Sequence, residues 1–320
     1  MNVIVTGGAG FIGATLVNRL RKESQVDQIA VIDNLDPYYD PSLKRSRIKG
    51  WEHDPKVTWF EADICDEASL RPIFASNEWD CVLHLAAIPG VRSSLIDPVH
   101  YVEVDVKGTV QLLHLTGQRK IPHFIFLSSS SVYGEQPQGV ALREEMMKET
   151  PESPYAAAKW AAEGFCRTFH QLYGFHCTTL RPFTVYGPGQ RPDMAIRKFA
   201  DLMWAGEKLP LFQPESTRDY TYVEDMVEAI WLAMNQGTGY QVYNVGSGHP
   251  ISLLDMVQRL AKQLHISPEI EICGAQQGDV SHTWADLSKV NTELGYAPAM
   301  TFEQGIERFV DWFKIQKRGV

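Results

Sequence analysis

No Cys-x-x-Cys pair, no Cys/His cluster and no apolar run long enough to span a membrane occurs in this chain. The first two absences argue against a metal centre or a redox dithiol. The third argues against a membrane helix. The five cysteines, Cys65, Cys81, Cys166, Cys177 and Cys273, are scattered and odd in number, as expected of free thiols in a reducing compartment. Positive charge is also in short supply: 30 Lys and Arg against 39 Asp and Glu give a net charge of −9. That balance argues against nucleic-acid binding, so an anionic small ligand would be met by local Arg or Lys. No basic and apolar leader precedes the first strand, which predicts a cytoplasmic protein. Repeats, low-complexity tracts and Gly/Ser linkers are absent too. What remains is globular: 320 residues, 44% hydrophobic and 22% charged, with 8 Trp, 14 Phe and 12 Tyr to build a core. That length suits one large α/β unit or two closely joined ones.

The first half alternates short apolar runs with helical stretches. Residues 1–6, 28–33, 57–61, 81–86 and 123–128 read as strands, with a further strand at 175–182. Residues 11–21, 69–75, 99–118 and 154–173 read as helices. Short β-rich runs without strict alternation suit strands buried on both faces. Strands alternating with helices predict an α/β fold with a Rossmann-type, doubly wound parallel sheet. After Arg181 the pattern loosens, and helices resume at 195–205, 223–235, 253–264 and 302–315. The expected division is a dinucleotide-binding domain over 1–181, to which part of the later chain returns, and a smaller, interleaved substrate lobe over 182–320. Ligands of such sheets bind at the carboxyl ends of the strands.

One motif sits at that edge. Gly7, Gly10 and Gly13 follow the first strand and open the first helix, the context a dinucleotide site requires. Glycines let the backbone approach a pyrophosphate, and the helix N-terminal N–H groups, including those of Phe11 and Ile12, receive its charge. Asp33 ends the second strand twenty residues after Gly13. A carboxylate there bonds ribose hydroxyls and repels a 2′-phosphate, which favours NAD over NADP. Asn34 follows it, and Lys44, Arg45 and Arg47, read as a loop, weigh the other way. Asp63 and Ile64 after the third strand would lie beside adenine. Leu85, Ala86 and Ala87 after the fourth would line the middle of the cofactor.

A second motif is Ser153-Pro-Tyr155-Ala-Ala-Ala-Lys159. Ser153 suits an N-cap and Pro154 a first helical position. Tyr155 and Lys159 then share a helix face. A phenol is a poor base at neutral pH, but a neighbouring ammonium and a nicotinamide cation both favour its ionised form. Lys159 also reaches a nicotinamide ribose. The run Ser128-Ser-Ser-Ser131-Val-Tyr133-Gly134 follows a strand, so one of its hydroxyls would face the same edge and donate to a substrate oxygen. The residues leave open which serine does so. Together the two motifs point to a nicotinamide-dependent oxidation of an alcohol, with Tyr155 as the base.

These runs, with Asp33–Asp40, His84–Arg92, Arg181–Met194 and Arg218–Asp225, resemble the extended short-chain dehydrogenase/reductase superfamily. Within it the chain is most similar to the NAD-dependent nucleotide-sugar epimerases of the UDP-glucuronate 4-epimerase group, nearly end to end. The resemblance implies a UDP-sugar held between the lobes. It places Ser129 on the catalytic Ser/Thr position, with Ser130, Ser131, Thr184 and Arg191 toward the sugar and Arg218 and Asp279 toward the nucleotide. It also implies a homodimer joined through a four-helix bundle. Two positions depart from the wider pattern. Asp105 replaces an Asn that supports the surroundings of the lysine, and Gln276 replaces a phosphate-binding Arg.

The same 4-keto intermediate serves other reactions. Dehydratase relatives carry Asp-Glu where this chain has Ser130-Ser131, and decarboxylases place Glu at the Ser131 position. Without those carboxylates, epimerisation is the favoured outcome. A 4-keto glucuronate is a β-keto acid and loses CO₂ when its carboxylate aligns with the carbonyl π system. Arg191 is the candidate clamp against that alignment, because a guanidinium grips a carboxylate bidentately. The alternatives are 4-epimerisation of a neutral nucleotide hexose, another 4-keto reaction, or a non-catalytic NAD-binding regulator.

Overall fold

Val3, Ile4 and Val5 are fully buried, as a strand covered on both faces requires. Alternate residues serve opposite layers. Val3, Val5, Val31 and Leu83 join one core cluster, while Ile4, Ile32, Val82 and Phe124 join another. Between the two lies a seven-stranded parallel sheet, seen in a computed structural model that describes residues 1–148, 150–274 and 280–318. Its strands are β1 (Asn2–Thr6), β2 (Gln28–Asp33), β3 (Val57–Glu61), β4 (Cys81–His84), β5 (His123–Leu127), β6 (His176–Pro182) and β7 (Tyr240–Val245). Their order is β7-β6-β5-β4-β1-β2-β3. Thr6 pairs with Ile32 on one side and His84 on the other, so the order reverses between β1 and β4. A doubly wound sheet opens its ligand crevice at that reversal.

Three helices matter for the site: α1 (Phe11–Leu20), α2 (Thr109–Gln118) and α3 (Pro154–Tyr173). The later chain adds a three-stranded sheet from Thr184–Tyr186, Thr217–Tyr222 and Pro250–Ser252, and a parallel pair from Leu209–Phe212 and Ile270–Cys273. Among the described residues, no helix is long and apolar enough to cross a membrane, and no group of His, Cys, Asp or Glu could hold a metal ion.

Some elements differ from the sequence reading. The helix expected over 99–118 is three pieces: an α turn at Pro98–Tyr101, a π-helical stretch at Val102–Gly108, then α2. Valines at 102, 104 and 106 weaken the preference for regular α geometry there. Lys44, Arg45 and Arg47 lie on a helix, Pro41–Lys49, and not in a loop; Asp40 caps it by accepting the Ser42 N–H at 2.9 Å. β7 is a strand beyond those expected, its apolar run broken by Gln241 and Asn244. Gln276 and Asp279 lie outside the described residues.

Candidate active site

The glycine loop is shaped by backbone contact. Gly7 has φ +68°, and its N–H donates to Ile32 O at 2.8 Å. A Cβ at Gly7 would stand 2.6 Å from Ala86 N, and one at Gly13 would collide with Gly7 O. No side chain caps α1 at Gly10, and no acid stands in its first turn. The N–H groups of its opening turn are therefore left for a ligand, an anion site by geometry and by dipole. Gly7, Gly10, Phe11, Ile12 and Gly13 line a cavity of about 450 Å³.

Asp33, Asn34, Asp63, Ile64, Leu85, Ala86 and Ala87 line the same cavity. Asp33 is buried. Its Oδ2 accepts the Ala9 N–H at 3.2 Å, and its Oδ1 accepts the Leu35 N–H at 2.9 Å and Lys44 Nζ at 3.2 Å. Asn34 Nδ2 donates to Asp63 Oδ2 at 3.0 Å. Lys44 is thus spent on Asp33. Arg47 is spent on the carbonyls of Ala9 and Gly189, at 2.8 and 2.7 Å. Two of the three cations that weighed toward NADP are thus occupied in holding the loop, and the third, Arg45, lies exposed 3.7 Å from Glu61. Close-packed glycines, free helix N–H groups and paired carboxylates at the far end fit a dinucleotide with an unphosphorylated ribose.

The proton-transfer residues meet across the cavity from this loop. Ser153 caps α3 by accepting the Ala156 N–H at 3.1 Å, with Pro154 in the first turn, so the helix begins where Tyr155 is needed. Tyr155 lines the cavity, its ring edge-on to Tyr101 at 6.1 Å. Lys159, only 2% exposed, donates from Nζ to Leu127 O at 3.1 Å and lies 6.0 Å from the Tyr155 ring centroid.

The serine run divides its work. Ser128 also lines the cavity, but its Oγ hydrogen is engaged by buried Glu163 Oε1 at 2.5 Å. Ser129 Oγ accepts from the Ser131 N–H at 3.1 Å and from Ser131 Oγ at 3.0 Å. Its own hydrogen stays available to a substrate oxygen. Ser130 and Ser131 also line the cavity.

Thr184, Arg191 and Arg218 bring the later chain to this cavity. Arg191 is gripped by Asp193, Nε to Oδ1 at 3.0 Å and Nη2 to Oδ2 at 3.1 Å, and lies 6.0 Å over the Tyr38 ring. That pair leaves the Nη1 donors outside it. Arg218 Nη1 donates to the carbonyls of Thr217 and Ser281 at 2.9 and 3.2 Å.

Sequence reasoning overlooked the support behind these residues. Glu163 takes Arg181 bidentately, Oε1 from Nε at 2.9 Å and Oε2 from Nη2 at 2.6 Å. Arg181 Nη1 donates to Tyr133 OH at 3.0 Å, and Tyr133 OH to Asn244 Oδ1 at 2.6 Å. This buried chain ties α3, the serine turn and β7 together. Its one sequence signal was spacing: Glu163 is four residues after Lys159, on the same helix face. Asp219 was overlooked as well. It accepts the N–H groups of Ser247, Gly248 and Ala285 at 2.6, 3.0 and 3.1 Å, beside Arg218.

The family described as GDP-mannose 4,6 dehydratase matches residues 4–309. A UDP-glucuronate 4-epimerase from Thermodesulfobacterium geofontis is 35% identical over 314 residues, covering 97% of this chain and 95% of that protein. The crystal structure of UDP-glucuronic acid 4-epimerase from Bacillus cereus, in complex with UDP-glucuronic acid and NAD, is 34% identical with a TM-score of 0.92, covering 99% of this chain and 100% of that one. A UDP-glucose 4-epimerase from Thermus thermophilus in complex with NAD is 31% identical with a TM-score of 0.89, covering 98% and 99%. The chain belongs to the GDP-mannose 4,6 dehydratase family, a branch of the extended short-chain dehydrogenases/reductases that includes nucleotide-sugar epimerases.

Proposed function

We propose that this protein is an NAD-dependent UDP-sugar 4-epimerase that interconverts UDP-glucuronate and UDP-galacturonate through a 4-keto sugar. One observation carries the reading: Tyr155, Lys159 and Ser129 share a single cavity with the glycine loop and Arg191, and residues 130 and 131 are serines. A bound NAD would supply reversible hydride chemistry at C4, with no net oxidation. The glycine loop and the α1 N-terminus would hold its pyrophosphate, and Asp33 its ribose. Tyr155 takes the proton of the sugar 4-hydroxyl and gives it back on the other face. Lys159 favours the ionised phenol. Ser129 donates to the C4 oxygen, stabilising its developing negative charge. Because Ser130 and Ser131 bear no carboxyl group, neither can act as acid or base at C5 and C6, so the 4-keto sugar is reduced rather than dehydrated.

Arg191 is the proposed holder of the uronate carboxylate, through the Nη1 donors its pair with Asp193 leaves. Thr184, Ser130 and Ser131 would line the sugar, and Arg218, with Asp279, the nucleotide end. The lobe over 182–320 thus supplies much of the sugar site, and 1–181 the cofactor site. Purified protein incubated with UDP-glucuronate and, separately, with UDP-glucose tests the reading by product chromatography. We expect UDP-galacturonate from the first; turnover of UDP-glucose alone overturns the uronate assignment. That second reading, a neutral-hexose epimerase, is favoured by the grip of Asp193 on Arg191.

We further propose a cytoplasmic homodimer joined through α2, α3 and the segment before α2. Ile96 and Val99 are 87% and 66% exposed, and Val102, Trp160, Phe165 and Leu172 are exposed as well. Apolar exposure on this scale marks an interaction surface. Light scattering should report a dimer that Ile96→Asp with Val99→Asp converts to a monomer. A monomeric parent protein at micromolar concentration overturns it.

A further inference from the structure

The π-helical stretch Val102–Gly108 carries an acid that the reaction as described does not use. π turns are rare and concentrate at functional sites. Asp105, on this turn, is 1% exposed. Its Oδ1 accepts the Ile88 N–H at 2.8 Å, which ties it to the loop lining the cofactor cleft. Its Oδ2 is buried without a hydrogen bond and stands 4.0 Å from Lys159 Nζ. A buried carboxylate oxygen without a partner is costly, and the facing ammonium offsets that cost.

We propose that Asp105 is a positioning residue for the reaction: its carboxylate offsets part of the Lys159 charge that Tyr155 feels, and so sets the pH at which the Tyr155–Lys159 pair becomes active. The proposal rests on the reading of Tyr155 and Lys159 as the catalytic pair.

The charged and titratable groups around Asp105 come from several elements, among them His100, whose Nε2 lies 3.9 Å from Asp36 Oδ2. From α3 it faces Lys159, whose Nζ also lies 6.0 Å from the Tyr155 ring centroid, and the next acid on that helix, Glu163, is held by Arg181. From the preceding turn it faces His100 and Tyr101; burial raises the Tyr101 phenol further from ionisation. His84, at the end of β4, bonds Thr6 Oγ1 and Thr109 Oγ1 at 2.8 and 2.9 Å. Burial, and then Lys159, hold it well below the usual imidazole range, so it stays neutral. Glu103 and Lys107, on Asp105's own segment, are exposed. Burial pushes the Asp105 carboxyl up from 3.8 to about 6, against the pull of Lys159. Its ionisation therefore falls close to neutrality. Once negative, it opposes a second negative charge on Tyr155. Two such coupled ionisations stretch the rising limb of a pH–rate profile.

The test compares the parent protein, Asp105→Asn and Tyr155→Phe, each with NAD and a UDP-sugar, across pH 5 to 9. The rising limb of Asp105→Asn should steepen and move toward acid by about one pH unit, the scale of a buried charge acting a few ångströms away. Superimposable profiles overturn the proposal. Thermal melts between pH 4 and 8 judge it without turnover. A carboxyl whose folded pKa exceeds its unfolded one costs stability as pH rises between the two values. Asp105→Asn should therefore gain melting temperature relative to the parent between about pH 4 and 6, then run parallel to it. A gap independent of pH overturns the proposal on its own. Full activity in Tyr155→Phe overturns the catalytic reading, and this proposal with it.

Discussion

The two ends of the cleft are built by different means. At the cofactor end the working groups are largely backbone: Gly7 bends the chain at φ +68°, Gly13 lets α1 approach Gly7 O, and the α1 N-terminus offers its N–H groups. At the sugar end they are side chains from distant segments, with Ser129, Tyr155, Arg191 and Arg218 gathered from four elements. A backbone site lies within one short run and tolerates little change, since a Cβ at Gly13 strikes Gly7 O. A side-chain site depends on what holds each residue, here the Glu163–Arg181 pair behind α3 and the Asp193 grip on Arg191. The sugar end is therefore the place where substrate choice can change while the cofactor end stays put.

The comparison can be tested from its strongest consequence downward. Tyr155→Phe should lower kcat by about a thousandfold, the range of a lost general base, while NAD copurifies at the parent's level. Loss of the NAD as well would show that the two ends are not separable. Next, Glu163→Ala should cost about 3–5 kcal/mol in denaturant unfolding, because it strands the buried Arg181 charge. A cost below about 1 kcal/mol, the scale of a surface pair, would mean that the buried chain does not support the sugar end. Arg191→Ala should lower kcat/KM for UDP-glucuronate by tens-fold and for UDP-glucose only a few-fold, since losing a charge-assisted pair costs about 1.5–3 kcal/mol. Equal losses with both sugars would remove Arg191 as the carboxylate clamp.

Legibility followed the same division. The glycine loop, Asp33, and Tyr155 with Lys159 were readable because each is a local pattern with its own strand or helix boundary. Ser153 and Pro154 even marked where α3 begins. The run of four serines was not decidable from residues alone: only the bond from Ser128 to Glu163 and the bonds from Ser131 to Ser129 sort them. Lys44 and Arg47 read as possible phosphate ligands until their partners, Asp33 and the Ala9 and Gly189 carbonyls, were seen. A regular helix was expected where the π-helical stretch lies, because apolar periodicity does not report a widened turn.

By itself, then, the sequence determined six of the seven strands of the sheet, its dinucleotide loop and the Tyr155–Lys159 face, because short-range spacing sets strands, helix starts and the i, i+4 geometry. Only the tertiary structure decided the partners of the buried charged groups: Asp105 against Lys159 and Glu163 on Arg181. The physical reason is range. A turn or a cap is settled within a few residues, whereas the partner a buried charge must find lies wherever the fold brings one, here 54 residues away for Asp105 and Lys159 by their numbering.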